Sequence, residues 1–225
     1  MDTSFLTRTG LFQGISEDEI TAILDCVQAV QKSYAKNDVV YHAGTVIHSL
    51  GIVLSGSVFI ENDDFWGNKN VLDIVSPGEV FAEAYASIPD EPLMFQVVAC
   101  ETTEILFLNV QRLLAVCHHA CTYHHKLIEN LLRISAQKNL HLSRRSLHTA
   151  SKTIRGRLLS YLSYQAIRQG SRDFVIPFNR QQLADYLNVD RSALSNELSK
   201  MQKEGILRAD KSHFHLSSDD MELYL

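Results

Sequence analysis

The stretch NRQQLADYLNVDRSALSNELSKMQKEGIL, residues 179–207, has the pattern of two short helices joined by a tight turn. Asn179, with Gln182 three positions later, matches a capping box at the start of the first helix. Asn188 tolerates the left-handed conformation that ends a helix, and Asp190 can cap a second helix. The stretch therefore predicts a helix–turn–helix unit.

The second predicted helix has an apolar face and a polar face. Its apolar face is formed by Leu194, Leu198 and Met201, which fall at i, i+4 and i+7. The opposite face carries hydrogen-bonding side chains of modest length: Arg191, Ser192, Ser195, Asn196 and Ser199. Because Arg pairs with guanine and Asn with adenine in the major groove, this face predicts contacts with DNA bases.

The segments around these helices predict the rest of a winged helix. A helix near residues 154–168 comes first, and DFVIPF, residues 173–178, has the composition of a strand. After the second helix, a β-hairpin is predicted around Asp210 and Ser212, with Lys211 at its tip. We expect Lys211 to contact the DNA backbone.

Charge is divided unevenly along the chain. Residues 1–129 hold 6 Lys/Arg and 17 Asp/Glu, a net charge of −11, whereas residues 130–225 hold 15 and 9, a net charge of +6. Between Asn130 and Arg172 there are nine basic residues and no acidic one. This split indicates that the C-terminal part meets a polyanion, although a solvated basic helix face would look the same.

The N-terminal half predicts a β domain behind one helix. Residues 16–31 have a capping box and an apolar stripe typical of a helix. From about residue 32 to 108, short apolar runs alternate with glycine-containing turns, which indicates an all-β sandwich or barrel.

A long helix is predicted over residues 124–150, which contain no Gly or Pro. Leu127, Leu131, Ile134 and, less regularly, Leu142 supply an apolar stripe. Such a narrow stripe predicts pairing with a second copy of the chain, and the alternative is packing against its own β domain.

Four features of the chain together resemble the CRP/FNR family of bacterial transcription regulators. They are the stretch NVDRSALSNELSKMQKEGIL, the β segment with its glycine-containing turns, the long helix and the loop PGEVFAE. The resemblance covers nearly the whole chain. It implies an α+β protein with an N-terminal cyclic-nucleotide-binding-type β-roll, a double-stranded jelly roll, over residues 1–123. A dimerisation helix over 124–150 and a winged helix–turn–helix over 151–225 would follow, with a hinge at Ser151–Thr153.

The resemblance also implies partners and DNA-reading residues. We expect a homodimer on a two-fold symmetric double-stranded operator, with RNA polymerase as a further partner if the protein is an activator. The family's base-reading positions fall on Ser192, Ser195 and Asn196, with Arg191 just before them. Because many members have Glu and Arg where this chain has Ser192 and Asn196, we expect an uncommon operator half-site.

The effector site departs from the members that bind cyclic AMP. GEVFAE keeps Glu79 and Glu83, but Ala82 replaces the second glycine of the loop. The Arg-Ser pair that would hold the cyclic phosphate falls on Leu93 and Met94. A buried phosphate without a cation would be unstable. We therefore expect a small apolar or aromatic effector, in a pocket formed by Phe81, Ala82, Glu83, Leu93, Met94 and Lys138.

Other effector chemistries stay open. The alternatives are a cyclic nucleotide, an empty vestigial pocket, and redox, metal or haem sensing. Cys26 alone near the N-terminus disfavours an iron–sulfur cluster. CHHACTYHHK, residues 117–126, has Cys and His at a spacing that can bind zinc or iron. We predict no cofactor, no metal site and no catalytic residue, since no nucleophile–base pair or metalloprotease motif is present.

The composition favours a cytoplasmic protein. No run of about 18 apolar residues is present and the N-terminus lacks the apolar core of a secretory signal. Four scattered cysteines do not make a disulfide framework in 225 residues. We expect reduced thiols and no membrane partner.

Overall fold

The computed structural model describes residues 2–63, 69–114 and 122–217. The chain divides into two units, residues 1–137 and 138–225. This division falls inside one long helix, between the boundaries that we predicted near residues 123 and 150, and those boundaries stay a prediction. Among the described residues, no helix has both the length and the apolar content to cross a membrane.

The first unit is built from short helices and eight strands. In chain order they are α1 (Thr3–Leu6), α2 (Glu17–Cys26), β1 (Val30–Tyr34), β2 (Val39–Tyr41), β3 (Ser49–Ser55), β4 (Val58–Asp63), β5 (Lys69–Val75), β6 (Val80–Phe81), α3 (Glu83–Ser87), β7 (Gln96–Ala99), β8 (Thr103–Asn109) and α4 (Val110–Leu114). The strands form two antiparallel four-stranded sheets, ordered β1-β8-β3-β6 and β2-β7-β4-β5. The predicted β-roll is confirmed.

The first long helix of this unit is shorter than its apolar pattern predicted. It begins as expected, because the Ser16 hydroxyl accepts from the Glu19 N–H and the Glu19 carboxylate accepts from the Ser16 N–H at 2.8 Å. It ends at Cys26 rather than near residue 31. Gln28 has a φ of 52°, in the left-handed region, so the chain turns there and continues as β1.

The core of the β-roll is apolar and continuous across the two sheets. Its fully buried members include Ile52 on β3, Val97 on β7 and Leu106 on β8. Ile52 lies directly opposite Leu106 in the ladder that joins β3 and β8. Burial runs over consecutive residues of these strands, in agreement with the short apolar runs of the sequence.

The long helix α5 (Thr122–Thr149) runs from the first unit into the second. Its stripe of Leu127, Leu131 and Ile134 packs into the core of the first unit. Leu142, which the sequence also assigned to this stripe, is 63% exposed. For the other three residues, packing against the chain's own β domain, which we kept as the alternative, is what the structure contains. Pairing of the helix with a second copy of the chain stays a prediction.

The second unit has a helix, a three-stranded sheet and the helix–turn–helix. Its elements after α5 are α6 (Ile154–Gln169), β9 (Asp173–Val175), α7 (Arg180–Leu187), α8 (Arg191–Lys203), β10 (Leu207–Asp210) and β11 (His213–Leu216). The sheet order is β10-β11-β9, and all pairs are antiparallel. The predicted winged helix is confirmed.

Candidate nucleic-acid interface and effector site

Local capping interactions fix the two helices of the helix–turn–helix. Asn179 accepts from the Gln182 N–H, and the Gln182 side chain accepts from the Asn179 N–H, both at 2.9 Å. Asn188 ends α7 with a φ of 53°. Asp190 then accepts from the Ala193 N–H at 2.9 Å and caps α8. All four capping roles were predicted from residue type and spacing alone.

α8 buries one face and exposes the other. Leu194, Leu198 and Met201 are at most 3% exposed and belong to the core of the second unit. The predicted DNA-reading residues are arranged on the polar side. Arg191, Ser192, Asn196 and Ser199 are exposed, and Ser195 is half-buried.

The polar side chains of α8 differ in whether they form hydrogen bonds within the protein. The Ser192 hydroxyl donates to the Asp190 carboxylate, and the Ser199 hydroxyl donates to the Ser195 carbonyl. These hydrogen bonds also lower the pKa of Asp190, with the Ser192 hydroxyl as the largest cause. Within the described part of the chain, the side chains of Arg191, Ser195 and Asn196 have no hydrogen bond or ion pair. Of these three, Arg191 and Asn196 are exposed.

The far half of α8 is held by an arginine of α6. Arg155 forms a bidentate pair with Glu204, at 2.7 and 2.9 Å, and its Nε donates to Glu197 at 2.6 Å. The pairing with Arg155 lowers the pKa of the Glu204 carboxyl. Bidentate Arg–carboxylate pairs fix geometry as well as charge, so this contact sets the direction of α8.

A basic cleft lies beside the start of α8. It has a volume of about 790 Å³ and is lined by the hairpin tip, the first residues of α7 and the first residue of α8. Three of its lining side chains are cationic, namely Arg180, Arg191 and Lys211. The cleft also contains the N-terminus of α7, where backbone N–H groups favour an anion. Its charge and shape suit a DNA phosphate.

Two residues of this cleft, Arg180 and Gln181, were not among the predicted DNA contacts. Their position in the sequence could have indicated a phosphate contact, because both directly follow the N-cap Asn179, and helix N-termini bind phosphates. Arg180 lies over the Phe214 ring, 5.1 Å from its centroid, and burial is the main cause that lowers its pKa. The aromatic contact holds this guanidinium at the edge of the cleft.

The predicted effector loop has a left-handed residue at the position where the sequence replaces a glycine. Ala82 has a φ of 59°, the left-handed conformation that favours glycine, and it precedes α3. The neighbouring side chains are buried, with Phe81 at 1% and Glu83 at 6% exposure. The conformation is thus maintained although its usual residue is replaced.

The two residues that replace the phosphate-holding pair face different environments. Leu93 is 2% exposed and belongs to the core of the first unit, whereas Met94 is 73% exposed. Lys138 is exposed and lies in the second unit. The structure therefore brings Phe81 and Leu93 into one core and places Met94 on the surface.

The interior of the β-roll is aromatic. Tyr41 contacts both Phe81 and Phe107 edge-on, with ring centroids 6.2 and 5.6 Å apart, and its hydroxyl donates to the Ser49 carbonyl at 2.9 Å. Burial raises the pKa of Tyr41. The buried charged side chains among the described residues of this unit are the carboxylates Glu61 and Glu83, without a buried Lys or Arg.

The Cys/His cluster at residues 117–126 lies largely outside the described residues, since Cys117, His118, His119 and Cys121 are not among them. His124 is buried, and neither of its ring nitrogens has a hydrogen-bond partner within the described residues. His125 is exposed, and its Nε2 is 3.2 Å from Glu129. No group of three metal-binding side chains occurs in residues 2–63, 69–114 and 122–217.

A β-roll followed by a long helix and a winged helix–turn–helix defines a class of DNA-binding transcription regulators. A family model described as a cyclic nucleotide-binding domain matches residues 31–120, and one described as a Crp-like helix-turn-helix domain matches residues 156–222. The chain belongs to the CRP/FNR family of transcription regulators.

The relatives agree with this assignment. The cyclic AMP receptor protein of Thermus thermophilus is 27% identical over 199 residues and is matched over 88% of each chain. A CRP-like cAMP-activated global transcriptional regulator of Mycobacterium tuberculosis is 23% identical over 96% of this chain and 95% of its own. A structure of OCPA-complexed CprK has a TM-score of 0.60 at 16% identity, over 88% of this chain and 91% of that one. That likeness concerns the fold.

Proposed function

We propose that this chain is a homodimeric regulator that reads a two-fold symmetric operator through α8 and responds to a small apolar or aromatic effector in its β-roll. The observation that carries the DNA part is the exposed, unpaired pair Arg191 and Asn196 beside a basic cleft. Arg191 and Asn196 read bases together with Ser192 and Ser195, and Ser199 and Lys211 contact the backbone. RNA polymerase is a further partner if the protein activates transcription.

Binding-site selection from random DNA, followed by gel-shift titration, tests the DNA part. Arg191→Ala and Asn196→Ala should each weaken operator binding by about 1–3 kcal/mol and relax the preference at one base pair of each half-site. Lys203→Ala, at the other end of the same exposed helix, removes a charge but no predicted base contact and serves as the control. Equal operator affinity of the wild type and both α8 variants would refute the assignment.

The dimer is proposed from a different face of α5 than the buried stripe. Leu132, Leu142 and Leu147 are 69%, 63% and 69% exposed, and Leu140 is also exposed. At 100° per residue, Leu132, Leu140 and Leu147 lie on the side of the helix opposite Leu127 and Ile134, whereas Leu142 lies nearer to Leu131. Exposed leucines at this density favour a partner, and a second copy offers the same face by symmetry.

Sedimentation velocity tests this interface. The double variant Leu132→Glu and Leu147→Glu should sediment as a monomer, because facing copies would bring like charges into an apolar seam. Leu142→Glu adds the same charge at an exposed leucine outside this face and should leave the dimer intact. A wild type that sediments as a monomer at micromolar concentration would contradict the proposal.

The effector part rests on the interior of the β-roll. Aromatic rings in the interior favour an apolar ligand, and the loop around Ala82 is where the resemblance to the family places it. CprK, a protein of this fold, is described as complexed with OCPA, whereas the relative from Thermus thermophilus is called a cyclic AMP receptor protein. The absent Arg-Ser pair separates this chain from cyclic AMP binders.

A thermal-shift screen distinguishes the alternatives. Small aromatic compounds, with OCPA among them, should raise the melting temperature, since a ligand at 100 times its Kd stabilises by about 2.7 kcal/mol. Cyclic AMP at the same concentration should leave it unchanged. A shift with cyclic AMP would replace the proposal by a nucleotide sensor, and the absence of any shift across the aromatic set would indicate a vestigial pocket.

A further inference from the structure

Two arginines together hold the C-terminal end of α7. Arg145 donates from Nε to the Tyr186 carbonyl and from Nη2 to the Asp185 carbonyl, each at 3.0 Å. Arg157 donates from Nη1 to the next two carbonyls, at 3.0 Å to Leu187 and 2.8 Å to Asn188. Four successive carbonyl oxygens thus accept from two guanidinium groups.

The physical chemistry of a helix end explains these contacts. The last carbonyls of a helix have no partner within the helix, and they form the negative end of its dipole. A guanidinium satisfies two such carbonyls at once and brings a positive charge to them. The carbonyls of Leu187 and Asn188 belong to the turn that leads into α8, so the arginines fix the part of the helix–turn–helix that sets the direction of α8.

The two arginines come from opposite sides of the predicted hinge at Ser151–Thr153. Arg145 lies on the last turns of α5, before the hinge, and Arg157 lies on α6, after it. Arg157 Nε also donates to the Ser151 carbonyl at 2.8 Å, which ties the hinge itself to the same group. A contact from Arg145 to α7 therefore bridges the hinge.

We propose that Arg145 is a positioning residue that latches the end of α5 to the helix–turn–helix and so fixes the aim of the DNA-reading helix. Arg157 binds the hinge and the turn from α6, and its hydrogen bonds do not depend on whether Arg145 is bonded to α7. Any rotation about Ser151–Thr153 has to break both hydrogen bonds of Arg145. Only the DNA readout below rests on the proposed function.

Cleavage at the hinge measures the latch directly. Lys152 is exposed at the centre of the hinge, and endoproteinase Lys-C cuts after lysine and not after arginine, so the glutamine variants create or remove no site. Proteolysis of a folded protein follows the population of locally opened states. We expect Arg145→Gln to speed cleavage after Lys152 about tenfold, the scale of one lost charge-assisted hydrogen bond.

Two further variants make this result specific. Arg144→Gln removes the same charge one residue away, where the guanidinium lies over the Tyr164 ring and not at α7, and it should be cleaved at the wild-type rate. Arg145→Lys keeps the charge but cannot donate to two carbonyls in a fork, and its melting temperature should be that of the wild type. Because this variant adds a Lys-C site at position 145, the masses of the fragments separate the two cuts, and cleavage after Lys152 should proceed at an intermediate rate. Wild-type cleavage of both Arg145 variants would overturn the proposal.

Operator binding supplies the second readout. Arg145→Gln should weaken operator binding at least fivefold, because an unlatched winged helix has to be ordered on binding. The dependence of affinity on salt should keep its wild-type slope, since Arg145 donates to protein carbonyls and not to phosphates. A slope lower by about one would show Arg145 to be a phosphate contact and overturn the latch. If the wild type bound no operator, the proposed function would fail while the Lys-C result still decided the latch.

Discussion

The ring of Phe81 lies directly against the backbone of Gly51, on the neighbouring strand of the same sheet. The two residues are paired in the ladder between β3 and β6. A Cβ atom added to Gly51 would overlap three atoms of the Phe81 ring. Gly51 is therefore required for close packing rather than for a special backbone conformation.

Gly51→Ala should destabilise the β-roll by about 1–3 kcal/mol, the usual cost of overpacking a core. Urea unfolding at constant pH measures the effect. Phe81→Leu in the same chain should recover part of the loss, because the smaller side chain vacates the overlapping volume. Gly10→Ala is the control, since a Cβ there meets Ile134 at an ordinary 3.8 Å. Additive costs of the two core substitutions would contradict the contact.

Substitutions of Leu93 and of Met94 should change the free energy of unfolding by clearly different amounts. Leu93→Ala removes a side chain that is 2% exposed and should cost about 2–5 kcal/mol. Met94→Ala alters a side chain that is 73% exposed and should change the free energy of unfolding by less than about 0.5 kcal/mol. Urea unfolding of the two variants measures these changes, and equal losses of stability would show that Met94 is also in the core.

His148 lies at the end of α5 in a pocket of tyrosines. It is 4% exposed, and its ring centroid is 5.5, 5.2 and 6.1 Å from those of Tyr161, Tyr164 and Tyr186. Its Nδ1 is 3.1 Å from the Ser160 hydroxyl, and its Nε2 has no hydrogen-bond partner in the described part of the chain. Burial lowers the pKa of His148 below its usual value.

This burial predicts a loss of stability in mild acid. The unfolded chain protonates His148 as the pH falls through about 6.5, while the folded protein keeps it neutral to lower pH. Stability from this group is therefore complete above that pH and declines below it. The cationic groups near these tyrosines, Arg144 over Tyr164 and Arg145 at the Tyr186 carbonyl, act in the same direction.

Urea unfolding at pH 7.5 and 5.5 measures the effect. The wild type should lose up to about 1.4 kcal/mol more than His148→Gln over this interval, the limit for one group that stays neutral when folded. His141→Gln, which removes an exposed histidine on the same helix, should keep the wild-type dependence. Parallel pH dependence of the wild type and His148→Gln would refute a buried neutral imidazole.

The helix–turn–helix was predictable because its determinants are local. Each capping residue interacts with backbone groups at most four residues away, and its role follows from its residue type. These residues are Asn179, Gln182, Asn188 and Asp190. The left-handed turn and both helix ends were therefore correct. The wing was predicted for the same reason, since a hairpin is specified by its turn and flanking strands.

The remaining features depend on contacts that are distant in sequence. The apolar stripe of α5 could pack on a second copy or on its own domain, and only the packed core decides between them. The hydrogen bond from Arg145 to the Tyr186 carbonyl spans 41 residues and joins a side chain to a backbone atom, so no sequence motif predicts it. Likewise, Leu93 and Met94 are adjacent and both apolar, and the sequence could not say which of them faces inward.

The cleft beside α8 predicts how salt affects DNA binding. Two cationic residues line this cleft outside α8. They are Lys211, in the left-handed conformation at the tip of the wing, and Arg180, at the start of α7, and we expect both to contact phosphates rather than bases. Each phosphate that a cation neutralises releases a counterion and steepens the salt dependence of binding. These residues should therefore contribute affinity without sequence preference.

Lys211→Gln and Arg180→Gln should each weaken operator and random DNA by similar factors and reduce the slope of log affinity against log salt by about one. Asn196→Ala should instead weaken only operator binding and keep the slope. Fluorescence anisotropy at four salt concentrations measures both quantities, with Arg168→Gln, an exposed charge at the end of α6 outside the cleft, as the control. Because a phosphate contact cannot distinguish sequences, a loss confined to the operator in Lys211→Gln would move Lys211 from the backbone to a base edge.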